Sequence, residues 1–358
     1  MIHVDQMDLA GAFPKDRASF SLSIPFLRRR GEDGKGDGAG TKKGMICASE
    51  GVFKRFSLCA IVFDSLKNPD KPISGTIRTE AQARAVPGGK KGGDMETIKS
   101  TDCVVSLENK YGMIFGMANE LSIAYGVAKV CRAAGAEIGV TYLNEKAEHY
   151  VRPLAEKLES TIIMPCNVQK AGELEKVFDE VKKKWGRLDF LLHAIAYAPL
   201  QDLRLRLADV SLEGWTIAMD VSVHSFIRMA RLAEPLMTRG GCLITLSYLG
   251  GERVIRNYRM MGPVKAALQQ TTEYLAAELG DKGIRVHTIS PGPIMTRAAS
   301  GLADFEELLK EQYARAPESY VVSNEDVGFL AAYLASDRAK GMTGNLIYLD
   351  SGYNIMGE

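Results

Sequence analysis

No apolar run in this 358-residue chain approaches the ~20 residues needed to span a bilayer; the best stretch, Phe56 to Phe63, has eight. No sign of charge dominates either. The 45 Lys/Arg and 44 Asp/Glu residues leave a formal charge of +1, so no whole-chain field draws the protein to nucleic acid or to a membrane surface. Cysteine is sparse and scattered: Cys47, Cys59, Cys103, Cys131, Cys166 and Cys242 form no C-x-x-C and stand at zinc-finger spacing from no histidine. That argues against a disulfide framework and against a structural metal, and reads as reduced thiols in a cytoplasmic protein. What is present is ordinary for a soluble globular chain, with 46% apolar and 25% charged residues.

The first hundred residues lack a sustained period of either 3.6 or 2. They hold 17 Lys/Arg against 12 Asp/Glu and 13 of the 35 glycines. Gly31 to Gly44 (GEDGKGDGAGTKKG) and Pro87 to Gly93 (PGGKKGG) are of low complexity, and such segments bury too little apolar area to offset chain entropy. Asp5, Asp8 and Asp16 argue against an acid-poor transit peptide, and no signal-type apolar core follows the start. Arg28-Arg29-Arg30 reads as a solvated charge run before it reads as a nucleic-acid contact. The expectation is an extension over 1–104 without a core of its own, with Met95 as an alternative start, followed by a single domain over 105–358.

From Tyr111 the texture changes. Short apolar runs read as strands at Tyr111–Gly116, Ile138–Tyr142, Thr161–Cys166, Leu188–His193, Cys242–Ser247, Ile284–Ile289 and Leu346–Leu349. Helical periods separate them: Ser122 to Ala134, Glu145 to Leu158, a stripe of Leu174, Val177, Phe178, Val181 and Trp185, a long stretch over Leu212 to Met237, another from near Tyr258 to Leu279, and two more near 303–313 and 324–336. Strict alternation of apolar strands with helices predicts an α/β, doubly wound parallel sheet covered by helices on both faces, with ligands at the carboxyl ends of its strands.

The first strand-to-helix turn, Gly116 to Gly126, lacks the G-x-G-x-x-G pattern. Gly116 can still turn the chain, and Ser122 with the following amides can present donors to a pyrophosphate, although a glycine turn is structural punctuation about as often as it is a phosphate site. Tyr258-x6-Lys265 is the stronger signal. On one helix the two side chains share a face roughly 10 Å apart, which lets a lysine grip a ribose while the phenol faces the reacting carbons. The ammonium is also expected to favour the ionised phenol. Tyr248 follows the strand ending at Ser247. His193 reads as a strand-end residue and not a catalyst; His224 and Met229 read as packing residues of a subunit-contact helix; Tyr197 reads equally as packing or as lining a site.

The segments SIAYG (122–126), LLHAIAYAP (191–199), LSYLGGERVIRNYRMMGPVKAAL (246–268), ISPGPIMTRAASG (289–301) and DSGYNIMG (350–357) resemble the NADH-dependent enoyl-acyl carrier protein reductases of bacterial type II fatty acid synthesis, within the short-chain dehydrogenase/reductase superfamily. The resemblance runs from about Ser106 to Gly357 and covers none of the first hundred residues. It implies a Rossmann-type fold, NADH as cofactor, and acyl carrier protein bearing an enoyl thioester as partner. It also implies a homotetramer built on the helical stretches around 216–237 and 258–279. Carbonyl reducers of the superfamily carry Tyr-x3-Lys, which would need tyrosine at position 261; that residue is Met261. By resemblance Tyr258 bonds the thioester oxygen, Lys265 holds the nicotinamide ribose, and Tyr248 and Ala198 line the acyl site. Gly116, Ser122 and Ile123 fall to the pyrophosphate, and Leu143, Asn167 and Val168 to the adenosine end. Ile195 and Ala196 lie along the cofactor, and Ile294, Met295, Thr296, Arg297 and Ala298 at the nicotinamide end. Thr296 to about Lys310 matches the family's mobile substrate loop.

Several positions depart from the family pattern. Asn167 replaces a common Asp, Leu143 a Gln, and Arg259 a common Asn beside Tyr258. Pro263 is expected to remove a helical donor between Tyr258 and Lys265 and to tilt their geometry. In the turn Tyr142-Leu143-Asn144-Glu145 an acid stands where a 2′-phosphate needs a base, so NADH is expected over NADPH. The competing readings are another reductase of the superfamily and a non-catalytic NAD-binding protein; an intact Tyr248, Tyr258 and Lys265 favours the enoyl reductase over both.

Overall fold

Each expected strand forms within two residues of its place. In the computed structural model, which describes residues 105–296 and 305–357, β1 is Tyr111–Phe115, β2 Glu137–Tyr142, β3 Ile162–Pro165, β4 Phe190–His193, β5 Gly241–Leu246, β6 Ile284–Pro291 and β7 Asn345–Leu349. All pair in parallel in the order β3-β2-β1-β4-β5-β6-β7. The strands are mostly apolar because both faces are covered, and buried polar residues such as Thr245 and Thr288 hydrogen-bond to other side chains. On one face pack α1 (Ile123–Ala133), α2 (Glu145–Lys157) and a helix near the carboxyl end, Asn324–Ala335. The other face carries α3 (Glu173–Lys184) and helices from the 212–279 stretch. In α3 the buried residues are Leu174, Val177, Phe178 and Val181, the stripe read from the sequence.

The stretch over Leu212 to Met237 is not one long helix. After the short α4 (Leu200–Leu203), α5 (Leu212–Met219) runs into a π-helical turn over Asp220–His224, and α6 (Ser225–Ala233) follows. Met229 is wholly buried in the core beneath the sheet, whereas His224 is exposed and meets Asp220 at 3.1 Å. Met229 therefore packs the core of its own chain, and His224 pairs with Asp220 at the surface of this chain.

The helix before β6 also starts later than expected. It is α7, Met261–Leu279, and Tyr258 lies in the turn ahead of it. Pro263 consequently occupies the first helical turn, where a backbone N–H has no intrahelical acceptor to lose, and the expected tilt has no cause. The remaining helices are α8, Phe305–Arg315, and α9, Asn324–Ala335, the latter opened by a reciprocal Ser323/Asp326 cap. Among the described residues no helix is long and apolar enough to cross a membrane.

Candidate active site

The strand order reverses between β1 and β4, and the loops at the carboxyl ends of those strands bring together the predicted residues. Gly116 leaves β1 at φ 93°, and a Cβ there would collide with the Ala194 carbonyl oxygen after β4. Only glycine lets the two strand ends approach this closely. Ser122 holds the N-cap position of α1, yet its hydroxyl donates to Asn119 O at 2.5 Å and accepts from Ala118 N at 3.4 Å. It makes no side-chain cap bond to the helix. The opening amides of α1, beginning at Ile123, thus lack a protein cap, at the place where such donors suit a diphosphate.

Around this turn the other predicted residues fall along the same rim. Leu143 follows β2 and is 54% exposed, while Asn144 caps α2 by accepting from Ala147 N at 3.1 Å. Asn167 and the buried Val168 follow β3. The Asn167 side-chain oxygen accepts from Gln169 N at 3.0 Å, leaving its amide group as the end to offer an adenine ring nitrogen. After β4, Ile195 and Ala198 pack against the core on the α3 side, and Ala196 is exposed. Tyr197 is half exposed, so it is not a packing residue. Its N–H donates to Ser222 Oγ at 3.0 Å, and its carbonyl accepts from the same hydroxyl at 3.2 Å. Ile294 is half-buried, Met295 exposed and Thr296 half-buried beyond β6. Arg297 and Ala298 lie outside the described residues, as do the expected extension and part of the substrate loop.

The chemistry-bearing side chains meet beyond β5. The rings of Tyr248 and Tyr258 stand edge to face, centroids 4.9 Å apart at 63°. Tyr258 is buried, with its ring flat against Gly250, where any Cβ would collide with it. Burial pushes its phenol far up, and the Tyr248 phenol adds to this. Burial thus holds Tyr258 as a neutral hydroxyl donor, and the expected ammonium-favoured phenolate is not formed. Lys265 instead donates to Leu246 O at 2.8 Å, and burial lowers its ammonium to about 8. A buried cation with a carbonyl partner suits added hydroxyl acceptors such as those of a ribose. The glycine cradle, the uncapped amides and this lysine together fit a dinucleotide.

Two contributors were invisible in the sequence. Gln312 of α8 is buried, donates to the Tyr248 hydroxyl oxygen at 2.5 Å, and has an unpartnered buried Oε1. Ser222 fixes the Tyr197 backbone from the π-turn. Neither position carried a signal beyond a polar residue inside a helical stretch. His193 is buried between Thr245 Oγ1 and Ser225 Oγ, each at 2.8 Å, and burial lowers it to about 3. It is a neutral structural residue, as read. Cys131, Cys166 and Cys242 are buried thiols pushed up by burial to about 12, 12 and 11. Among the described residues no group of three His, Cys, Asp or Glu could hold a metal ion.

A doubly wound sheet with this strand order, a helix amino terminus open at its switch point and a tyrosine–lysine pair at the strand ends defines a dinucleotide-dependent reductase of the short-chain class. Residues 116–354 match the family model described as Enoyl-(Acyl carrier protein) reductase. The NADH enoyl-acyl-carrier-protein reductase FabI of Synechocystis is 46% identical over 257 residues, covering 71% of this chain and 100% of its own. The same-named protein of Rickettsia felis is 43% identical, covering 70% and 97%. The crystal structure of the Bacillus cereus enoyl-acyl carrier protein reductase with NADP+ and an indole naphthyridinone superposes with a TM-score of 0.69 at 42% identity, over 71% of this chain and 100% of that one. The reductase of Anaplasma phagocytophilum in complex with NAD superposes at 0.68 and 42% identity, over 70% and 96%. This chain belongs to the enoyl-acyl carrier protein reductase family.

Proposed function

We propose that this protein reduces the trans-2 double bond of an enoyl thioester carried on acyl carrier protein, with NADH, in fatty acid elongation. The carrying observation is the Tyr248–Tyr258 pair beside buried Lys265, with Met261 where a carbonyl reducer needs its tyrosine. When bound, NADH supplies the hydride that adds at C3. Tyr258, held neutral by burial, donates its hydroxyl to the thioester oxygen and stabilises the enolate that develops there. Saturation is completed by a proton at C2. Lys265 orients the nicotinamide ribose, Gly116, Ser122 and Ile123 hold the diphosphate, and Leu143, Asn167 and Val168 the adenosine. Ile195, Ala196 and the run from Ile294 to Ala298 line the remainder, and Tyr248 with Ala198 the acyl chain. Glu145, exposed in the first turn of α2, disfavours a 2′-phosphate.

The reductase domain is taken as residues 105–358, a reading supported by the family match over 116–354. It works in the cytoplasm, a setting its reduced buried thiols suit. The assembly is a homotetramer, for which the groove between α6 and α7, lined by Ile227, Ala267, Thr271 and the exposed Tyr274, offers an apolar face; a monomeric mass by light scattering would refute that. The test of function is NADH oxidation by the full chain with crotonyl against acetoacetyl thioester. Turnover of the first and not the second is expected, and the reverse would establish a carbonyl reducer.

A further inference from the structure

The loop leading into Tyr258 shows a surface that the chemistry above does not use. Val254 is fully exposed, with the exposed Arg253 and Arg256 flanking it. A single exposed apolar side chain is ordinary. Here it stands between two guanidiniums that form no ion pair or side-chain hydrogen bond among the described residues. The acid of the same loop, Glu252, accepts from the Tyr348 hydroxyl on β7 and forms no ion pair with either arginine.

The loop has fixed geometry. Arg253 N donates to Leu249 O at 3.0 Å, and Ile255 packs against the core. Tyr258 N donates to Ile255 O at 3.1 Å, closing a turn whose tip is Arg256 and Asn257, the latter at φ 65°. The arginines are thus held on a ledge one turn from the phenol. Helix α8, which reaches the site through Gln312, presents exposed Glu307, Lys310, Glu311 and Arg315, with Glu311 and Arg315 paired at 3.6 Å. These charges on α8 therefore balance, whereas those of the ledge arginines are of one sign.

We propose that this ledge docks the acyl carrier protein through an acidic face. Arg253 and Arg256 meet carboxylates of the carrier, and Val254 makes the apolar contact between them. The proposal rests on the enoyl reductase reading. A carrier-borne thioester must land within the reach of its arm, and this ledge continues directly into Tyr258.

The test compares the full chain with its Arg253→Glu/Arg256→Glu variant, using crotonyl thioester on acyl carrier protein and on N-acetylcysteamine, which is small and uncharged. The variant should raise KM for the carrier-borne substrate about tenfold at low salt, an effect that shrinks as salt rises. Kinetics with the small thioester should not change. Arg253→Gln/Arg256→Gln should fall between. Equal KM values for the carrier-borne substrate, or a matching loss with the small one, would overturn the proposal. So would a drop in mass by light scattering, which would make the ledge a contact between copies. Fluorescence anisotropy of labelled carrier reads docking without turnover. Arginine-dependent binding without reduction of either thioester would sink the reductase reading and leave the ledge standing.

Discussion

Tyr258 and Lys265 divide one task between charge that develops during reaction and charge present throughout. Tyr258→Phe removes a donor that matters once the enolate forms, so kcat should fall by roughly 10²–10³ with NADH affinity unchanged. Lys265→Ala should weaken NADH binding first. Burial also gives Lys265 a pH signature. Its ammonium loses its proton near pH 8 in the folded protein, against 10.5 when exposed, so NADH affinity should weaken as pH rises through 8. The Lys265→Ala variant should show a flat profile, and fluorescence titration from pH 6.5 to 9.5 reads both; an identical pH dependence in the variant would refute the assignment. Arg259, beside the phenol, sits at φ 48°, a left-handed conformation costing most residues about 1–2 kcal/mol and asparagine less. Arg259→Asn should therefore raise Tm by about 2–4 °C in a chain of this size; calorimetry showing no gain would mean the strain is not there. Tyr248, Tyr258 and Lys265 were legible because their spacing is a chemical pattern along the chain. Their protonation was not, because its main cause is burial, which only packing reveals.

Helix α8 enters the site through one side chain. Gln312 gives the Tyr248 hydroxyl a donor while leaving its own Oε1 buried and unpartnered. Gln312→Leu removes the bond and the orphaned oxygen together, and the two effects on stability oppose each other. Thermal stability should hold, whereas KM for a crotonyl thioester should rise about fivefold, the worth of one hydrogen bond of about 1 kcal/mol. NADH affinity should not move, since the contact runs through Tyr248 alone; a change in NADH affinity in that variant would place α8 against the cofactor instead. At this scale the sequence was legible in its strands and less so in its helices. Apolar runs bounded by polar turns mark β1 to β7 closely, because a strand covered on both faces is predominantly apolar. The 212–237 stretch keeps helical spacing through a π-turn that shifts register by one residue, and periodicity averages over such a shift. The spacing of Tyr258 to Lys265 suits a helix, but Asn257 and Arg259 at positive φ break the helix there, and of the two only asparagine favours that conformation.

Across the whole molecule, two buried imidazoles tie the sheet to pH. His193 at the end of β4 and His287 within β6 are both fully enclosed. Burial lowers His193 to about 3, with the Lys265 charge adding to the effect, and lowers His287 to about 4, assisted by Arg285. The unfolded chain binds protons near pH 6.5. Between that value and the folded values, the unfolded state therefore holds protons that the native state refuses. Stability must fall as pH drops below 6.5, by about 1.4 kcal/mol per pH unit for each ring once well below it. Above 6.5 neither ring contributes a slope. The window from pH 6.5 to 5 lies above the range where the protein's carboxylates titrate, so the two histidines dominate it. Urea midpoints at fixed protein concentration should fall steadily from pH 7 to 5. His287 has an unpartnered Nδ1, so His287→Gln costs little packing and should remove one of the two protons from that slope. A wild-type midpoint that stays flat across this window would show that both rings charge in the folded state, and that the enclosed sheet ends admit water.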